Sequence, residues 1–146
     1  MLTVRPMRAD DHAAWLPLWQ AYLAFYETSL SDELTALAWQ RLNDPNFNLH
    51  GFVAEIDGVA VGITHYLYHH ATWSLGEYCY LEDLFVAPST RGKGVGRGLI
   101  NAVKNAATAR KASKVYWVTH QHNAVARKLY DAVAIDNGFV QYQIKL

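Results

Sequence analysis

Short polar–apolar alternations and helical stripes of apolar residues divide the chain into a series of small elements. Leu2–Arg5 alternates in the way that is typical of a strand. A helix is predicted from about residues 10–11, because large apolar side chains then recur at helical spacing: Trp15, Leu18, Trp19, Tyr22, Leu23 and Tyr26. Ser31 predicts the start of a second helix, since the two acids that follow it would lie where the helix dipole favours anions.

The centre of the chain is rich in the β-branched and aromatic residues that favour strands. Phe52–Ile56 and Val59–Tyr68 predict two strands, and the Asp57-Gly58 pair between them is a strong signal for a tight hairpin. Tyr78–Val86 predicts a third strand, which stops before Pro88. We expect these strands to form an antiparallel meander.

The last third of the chain switches to alternating helices and strands. A helix opens in the glycine-rich segment Gly92–Gly98 and runs to about Ala109, because its apolar residues repeat at helical spacing. The remaining elements are a strand, a helix and a closing strand, over Lys114–Thr119, Asn123–Val133 and Phe139–Leu146. This order predicts one α/β domain over residues 1–146, in which a right-handed strand–helix–strand crossover follows the meander.

Composition places this domain among packed globular proteins. Of its 146 residues, 51% are hydrophobic and 18% are charged, a balance that supports a core and excludes disorder. A single cysteine excludes a disulfide framework and a thiolate-rich metal site, and it fits a reducing compartment. No apolar stretch approaches the roughly 20 residues of a membrane span, and the first residues show no signal core. We therefore expect a cytoplasmic protein without a membrane partner.

The formal net charge is zero, but the charges are segregated along the chain. Residues 1–83 hold 11 acidic and 3 basic side chains, whereas residues 84–130 hold no acid and 9 bases. Overall neutrality argues against a nucleic-acid protein that binds by bulk charge. The segregation favours an anionic ligand bound by the second half and a cationic one met by the first, with solvated helix faces as the alternative.

A glycine-rich loop lies between a predicted strand and a predicted helix in the basic half. Residues 91–98 read Arg-Gly-Lys-Gly-Val-Gly-Arg-Gly. Glycines let the backbone approach a ligand closely, and N–H groups at a helix start point towards an anion. Because a glycine inside a helix costs about 0.5–1 kcal/mol, four alternating glycines favour a phosphate site over a flexible basic turn.

Two familiar nucleotide motifs do not fit this loop. A Walker loop needs Ser or Thr directly after Gly-Lys, where this chain has Gly94. A dinucleotide fingerprint needs its last glycine at Arg97 or Leu99 and an acid about 20 residues further on, but no acid occurs before Asp131. The loop does contain Arg-x-x-Gly-x-Gly, over residues 91–96.

Three segments together resemble the GCN5-related N-acetyltransferase (GNAT) superfamily. They are Tyr80-Leu-Glu-Asp-Leu-Phe-Val-Ala-Pro88, the loop over residues 91–96, and Asn123-Ala-Val-Ala-Arg-Lys-Leu-Tyr130. The Leu-Glu-Asp strand is most similar to the spermidine/spermine N-acetyltransferase and yeast histone/polyamine acetyltransferase branch. The resemblance implies the acyl-CoA N-acyltransferase fold, a mixed, mostly antiparallel α/β sheet with a central splayed strand pair flanked by helices.

The resemblance also implies acetyl-CoA as co-substrate. In this family the strand before the loop pairs with the pantetheine arm, and its positions here are Leu84, Phe85 and Val86. The pyrophosphate would then lie on the loop, against Arg91, Gly92, Lys93, Gly94, Val95, Gly96 and Arg97. Asn123 is implied as a further cofactor contact, and its place before a helix also predicts a cap.

The acceptor amine must lose a proton before it can attack, because a free alkylammonium has a pKa of about 10.4. By resemblance, Glu82 is the base, directly or through water, and Asp83 is a substrate contact or a structural anchor. Neighbouring residues of a regular strand face opposite sides, so a bulge would change which acid faces the cleft. The resemblance implies Tyr130 as the acid that protonates the departing thiolate.

The implied reaction is direct acetyl transfer to a primary amine, such as a polyamine, an amino acid or another small amine. Trp73 matches a cleft tryptophan of the polyamine branch and would form a cation–π contact, and Glu27 borders the acceptor site by resemblance. Homodimers are common in this family, so we expect a homodimer. The alternatives are a protein-lysine acetyltransferase, a non-catalytic acyl-CoA sensor and a basic surface for a polyanion.

Metal and cysteine chemistry are not expected. The pairs His69-His70 and His120-Gln-His122 have neither a nearby cysteine nor a helical His-Glu-x-x-His pattern. No histidine and acid flank Cys79 at a recognisable spacing, so we interpret it as a small buried hydrophobe rather than an acyl-carrying nucleophile.

Overall fold

Five strands form one sheet in the computed structural model, which describes residues 1–146. In chain order they are β1 (Leu2–Pro6), β2 (His50–Ile56), β3 (Val59–His69), β4 (Tyr78–Val86) and β5 (Lys114–Tyr116). Their order in the sheet follows the chain, with β1 to β4 antiparallel to their neighbours and β5 parallel to β4. The predicted mixed, mostly antiparallel sheet is confirmed.

Four helices accompany the sheet. They are α1 (His12–Phe25), α2 (Asp32–Leu42), α3 (Val95–Ala109) and α4 (Ala124–Val133), with short 3-10 turns at Ala9–Asp11 and Pro88–Thr90. Ser31 caps α2 as predicted, because its hydroxyl accepts a hydrogen bond from the backbone N–H of Leu34 at 3.1 Å. None of these helices has the length and apolar character that a bilayer crossing requires.

The hairpin between β2 and β3 forms where the sequence predicts it. Asp57 and Gly58 both have positive φ angles, 51° and 81°. Two successive residues in this left-handed region match the right-handed twist of the flanking strands. The two-residue turn thereby sets β3 in register against β2.

The core lies on both faces of β3. On one face, α1 and α2 pack against the sheet through a cluster of Trp15, Leu18, Trp19, Leu42, Val53, Ile63 and Phe85. On the other face, α3 buries Val95, Leu99, Ile100 and Val103 against side chains of the strands. Burial on both sides explains why β3 is apolar over most of its length rather than strictly alternating.

The contact between β4 and β5 is short. Only Tyr78, Cys79 and Tyr80 pair with β5, and their partners are Lys114–Tyr116. The sequence predicts β5 as far as Thr119, so the strand is shorter than expected. Beyond Tyr80 the two strands separate, which confirms a splayed pair. The pair was expected at the centre of the sheet but lies at its edge, because β5 is the last strand.

The predicted closing strand over Phe139–Leu146 is wrong. Residues 135–146 form no regular element, and their apolar side chains are exposed. The carboxylate of Asp136 accepts from the N–H of Gly138 at 2.9 Å, and the amide oxygen of Asn137 accepts from the next N–H at 3.0 Å. Side-chain turns of this kind compete with strand pairing, so the tail adds no strand to the sheet.

Replacing Leu99 with alanine tests the packing of α3 on the sheet. The side chain is 0% exposed, so Leu99→Ala is expected to lower the free energy of unfolding by about 2–5 kcal/mol through lost burial and a cavity. Leu75 in the β3–β4 loop is fully exposed, so Leu75→Ala should stay within about 0.5 kcal/mol of the parent. Urea unfolding followed by circular dichroism measures both. Equal losses would contradict the position of Leu99 in the core.

Candidate active site

The divergence of β4 from β5 opens a cleft with two adjoining parts. We call the part of about 270 Å³ the small cavity; it is lined by Tyr22, Tyr26, Tyr80, Leu81, Glu82, Asp83, Leu84, Trp117, Val118, Thr119, His120, Tyr130 and Gln141. We call the part of about 530 Å³ the large groove; it runs between the end of β4, the glycine-rich loop and α4. The two share Tyr26, Leu84 and Tyr130. A ligand in one part therefore lies next to a ligand in the other.

The glycine-rich loop turns through two left-handed residues. Gly92 and Gly94 both have a φ of 80°, and a Cβ built on either would meet nothing within 4 Å. Glycine is thus required at these two positions by the backbone conformation and not by lack of space. Gly94 stands at the N-cap of α3, whose first intrahelical bond runs from the N–H of Gly98 to the carbonyl of Gly94.

The start of α3 leaves backbone donors available at the large groove. The N–H groups of Val95, Gly96 and Arg97 precede the first intrahelical bond and have no carbonyl partner in the helix. All three residues line the groove, and the positive end of the 15-residue helix dipole lies there as well. This arrangement suits an anion such as a diphosphate.

Gly96 has a different structural reason from its neighbours. A Cβ on this residue would come within 2.9 Å of Leu129 Cδ2, so α4 packs closely against the start of α3. Leu129 and Tyr130 of α4 both line the large groove. The close approach of the two helices therefore builds one wall of the groove.

The large groove brings together nearly all the residues predicted to contact the cofactor. Those along its lining are Leu84, Phe85, Val86, Arg91, Gly92, Gly94, Val95, Gly96, Arg97 and Asn123. Lys93 is exposed and lies outside the lining. Asn123 stands at the N-cap of α4, but its side chain makes no cap; its amide instead donates to the hydroxyl of Thr119 at 3.2 Å.

These residues fit acetyl-CoA by their chemistry. One end of the groove is basic and rich in free backbone donors, as a diphosphate requires. The remainder is lined by apolar side chains of β4 and α4, and the β5 side of β4 has no strand partner beyond Tyr80. That free edge offers backbone N–H and C=O groups to the amides of a pantetheine arm.

A β-bulge places two carboxylates on the same side of β4. Leu81 pairs with Tyr66, and Asp83 pairs with His65, so Glu82 has no partner residue across the strand pair. In a regular strand Glu82 and Asp83 would face opposite sides. Both line the small cavity here.

The two carboxylates differ in their surroundings. Burial, followed by the nearby Asp83 charge, raises the pKa of Glu82 above the usual range of a glutamate. Asp83 is bonded instead: its Oδ2 lies 2.9 Å from Nδ1 of His65. The far nitrogen of that ring, Nε2, accepts from the indole N–H of Trp15 at 3.0 Å.

Sequence reasoning missed His65. It is a buried histidine in the middle of an apolar strand, and no motif spacing marks it. The signal that could have found it is the isolated polar residue itself, because buried polar groups are nearly always hydrogen-bonded.

Tyr130 lies at the junction of the two parts of the cleft. Its ring packs edge-on against Trp117, with 5.3 Å between the ring centroids. Burial raises the pKa of Tyr130 to about 12, so its hydroxyl keeps its proton at neutral pH. Burial and the Asp83 charge likewise raise the pKa of Tyr22 and Tyr26, which line the small cavity from α1.

Two residues predicted to contact the acceptor lie elsewhere. Trp73 is 82% exposed in the β3–β4 loop, and Glu27 is exposed in a left-handed turn after α1, with a φ of 54°. Neither lines the small cavity or the large groove. The aromatic lining of the small cavity comes instead from Tyr80 and Trp117 and from the tyrosines of α1.

Cys79 is fully buried in the cluster beneath α3. Burial raises the pKa of its thiol to about 11, which disfavours the thiolate that an acyl-carrying nucleophile needs. No three His, Cys, Asp or Glu side chains come together in a way that could hold a metal ion.

Comparison with known proteins assigns the family. Residues 14–134 match the sequence profile of the acetyltransferase (GNAT) family. The D-amino-acid N-acetyltransferase HPA3 of Saccharomyces cerevisiae is 36% identical over 144 residues, which cover 97% of this chain and 89% of the relative. The thialysine N-epsilon-acetyltransferase of Caenorhabditis elegans is 30% identical over 133 residues, 91% of this chain and 80% of the relative.

The fold is shared with solved acetyltransferases. The structure of AAC(6')-Iy in complex with the bisubstrate analogue CoA-S-monomethyl-acetylneamine superimposes with a TM-score of 0.87, covers 100% of this chain and 99% of its own, and is 22% identical. The sequence profile, these relatives and the splayed cleft agree. The chain belongs to the acetyltransferase (GNAT) family.

Proposed function

We propose that this protein transfers the acetyl group of acetyl-CoA to the primary amine of a small cationic molecule, by direct attack in a ternary complex. The observation that carries the proposal is the junction at Tyr130, where the groove that suits acetyl-CoA meets a cavity with two carboxylates. A ternary complex is favoured because the one cysteine is buried and protonated, so the chain offers no thiolate to carry the acetyl group.

The chain's residues divide the reaction between them. The free N–H groups at the start of α3 bind the diphosphate, and the unpaired edge of β4 aligns the thioester with the small cavity. The amine nitrogen bonds to the thioester carbon, the carbon–sulfur bond breaks, and the sulfur leaves as a thiol. Glu82 accepts the first proton that the ammonium loses, directly or through water, and Tyr130 donates the proton that the sulfur gains. The nitrogen loses its second proton as the tetrahedral intermediate collapses, and that proton restores the Tyr130 hydroxyl directly or through water.

The pKa shift of Glu82 suits its role. A base with a raised pKa holds the ammonium proton better than an ordinary carboxylate, so the raised pKa of Glu82 favours proton acceptance. The Tyr130 hydroxyl is protonated at neutral pH, so it has a proton to donate to the departing sulfur. Asp83 is the second charge and faces the same cavity, where it would bind an ammonium group.

The charge of the small cavity favours an acceptor that carries no carboxylate near the reacting amine. Two acids line it, and no arginine or lysine does. Aromatic rings beside the acids add cation–π attraction for an ammonium ion. Polyamines and other small amines with a second positive charge fit this lining best.

An amino acid is the second candidate acceptor. It is favoured by the 36% identity with the D-amino-acid N-acetyltransferase HPA3 over 97% of this chain. A matched pair of substrates separates the two candidates, because butane-1,4-diamine and 4-aminobutanoate have the same chain length and differ in the charge at the far end.

A steady-state assay of thiol release tests the proposed function. We expect turnover with acetyl-CoA and butane-1,4-diamine, and a kcat/KM at least about tenfold lower for 4-aminobutanoate, because its carboxylate meets two others. D-Alanine is included for the amino-acid candidate, and a lysine peptide for protein acetylation. Faster turnover of D-alanine than of butane-1,4-diamine would favour an amino acid over a polyamine as the acceptor. Binding of CoA in calorimetry without turnover of any amine would identify a sensor and overturn the proposal.

Replacing Tyr130 with phenylalanine tests the general acid. Tyr130→Phe keeps the ring against Trp117 but removes the proton donor, so kcat should fall by about 100-fold or more while acetyl-CoA affinity changes little. Tyr142→Phe is the matched control, because that hydroxyl is exposed in the tail. An unchanged kcat in Tyr130→Phe would remove this hydroxyl from the mechanism.

The pH profile tests the base. Protonated Glu82 cannot accept a proton, so kcat/KM for the amine should fall as the pH drops through the raised pKa of Glu82. Glu82→Gln should lower the rate and abolish that acid limb. Asp83→Asn removes the neighbouring charge that raises the pKa of Glu82, so the limb should move to lower pH. An identical limb in Glu82→Gln would assign the proton acceptor elsewhere.

A further inference from the structure

We propose that His65 is a positioning residue for the acetyl transfer, which holds the Asp83 carboxylate in a fixed orientation beside the acceptor. Trp15 in turn fixes the hydrogen-bonding state of His65. The proposal deepens the proposed function and rests on it, since it concerns the binding of the acceptor ammonium.

The three side chains form one chain of hydrogen bonds from the core to the small cavity. The indole Nε1 of Trp15 donates to Nε2 of His65 at 3.0 Å, and Nδ1 of His65 lies 2.9 Å from Oδ2 of Asp83. Trp15 is 1% exposed and His65 is 3% exposed, whereas the side chain of Asp83 is 15% exposed and lines the cavity. The hydrogen-bond chain therefore ends at Asp83, the only one of the three side chains that a substrate can reach.

The partners of His65 determine where its proton lies. An indole nitrogen only donates, so Nε2 of His65 must present its lone pair to Trp15. Nδ1 then carries the hydrogen of the neutral ring and donates it to the carboxylate of Asp83. This bond holds the Asp83 carboxylate in one orientation at the small cavity.

No other basic side chain does this for Asp83. Its single ion-pair partner within 4.0 Å is His65. From α1, Trp19 lies beside the ring of His65, and Tyr22 lies near Asp83, because burial and that carboxylate raise the pKa of Tyr22. The neighbouring acid on β4 is Glu82, whose pKa is raised by burial and by the charge of Asp83.

The consequence is a division of labour between two adjacent acids. Asp83 binds the ammonium, while Glu82 accepts and releases the proton. Without His65, the Asp83 carboxylate would lose the hydrogen bond that orients it towards the acceptor.

Kinetics of two His65 variants test the positioning role. His65→Leu should raise the amine KM about 10- to 100-fold, the range expected for a lost hydrogen bond to a charged group, and leave the acetyl-CoA KM within about twofold. His65→Asn keeps an N–H donor near the position of Nδ1 and should restore most of the loss. Equal effects on both KM values, or no rescue by asparagine, would overturn the proposal.

The indole donor has a matched control on the same helix. Trp15→Phe removes the donor to Nε2 and frees the ring of His65 to turn, so the amine KM should rise by about 2- to 10-fold while the acetyl-CoA KM stays within about twofold. Trp19 stacks on Trp15 with 5.7 Å between the ring centroids, and its Nε1 has no hydrogen-bond partner. Trp19→Phe should therefore leave both KM values unchanged. Equal amine KM values in the two variants would contradict the role of Trp15.

A double-variant cycle locates the effect. If His65 acts through Asp83, combining His65→Leu with Asp83→Asn should be no worse than Asp83→Asn alone. Effects that multiply would show that His65 acts by another route.

A measurement without turnover separates this inference from the proposed function. Nitrogen-15 NMR of the native protein at neutral pH should show a neutral His65 with its hydrogen on Nδ1. A hydrogen on Nε2, or a doubly protonated ring, would overturn the inference even in an active enzyme. Conversely, a protein that acetylates no amine but shows the Nδ1 hydrogen would refute the proposed function and leave the hydrogen-bond chain intact. In an active enzyme, unaltered amine kinetics in His65→Leu would refute the positioning role.

Discussion

The early separation of β4 from β5 is the constraint on which the rest of the site depends. Pairing stops after Tyr80, and the bulge at Glu82 follows two residues later. The separation leaves one edge of β4 free, which is the edge that a pantetheine arm needs, and it opens the space that becomes the small cavity. A β5 that paired as far as Thr119 would fill that space and cover the edge.

The charges that are segregated along the sequence are also separated in the structure. The bases of the glycine-rich loop flank the start of α3, while Glu82 and Asp83 line the small cavity on the other side of Tyr130. The start of α3 and the two acids therefore lie in different parts of the cleft, which is the arrangement that the proposed anionic co-substrate and cationic acceptor require.

Local signals in the sequence predict most of the fold. The features that they miss depend on contacts between segments that are distant in the chain. Helical stripes and the Asp57-Gly58 turn depend on residues close in the chain, so those elements form as predicted. The tail over residues 139–146 has the pattern of a strand, but a strand needs a partner, and the side-chain turns at Asp136 and Asn137 compete with pairing. The loop motif is visible in the sequence because its glycines act on the local backbone, and the loop lines the large groove. The placement of Trp73 and the partner of Asp83 depend on contacts between distant segments, which no spacing reveals.

Trp15 joins the stability of the fold to the chemistry of the site. It is among the most buried side chains, and it packs in the cluster between α1 and the sheet. Its single polar atom, the indole nitrogen, donates a hydrogen bond to His65. Phenylalanine at this position would keep part of the apolar contact and lose the indole N–H. The hydrogen-bond chain that ends on an acid of the cavity therefore begins at a residue that composition and periodicity assign to the core alone. Because this chain crosses from α1 through β3 to β4, the core must be assembled before the Asp83 carboxylate is held in place.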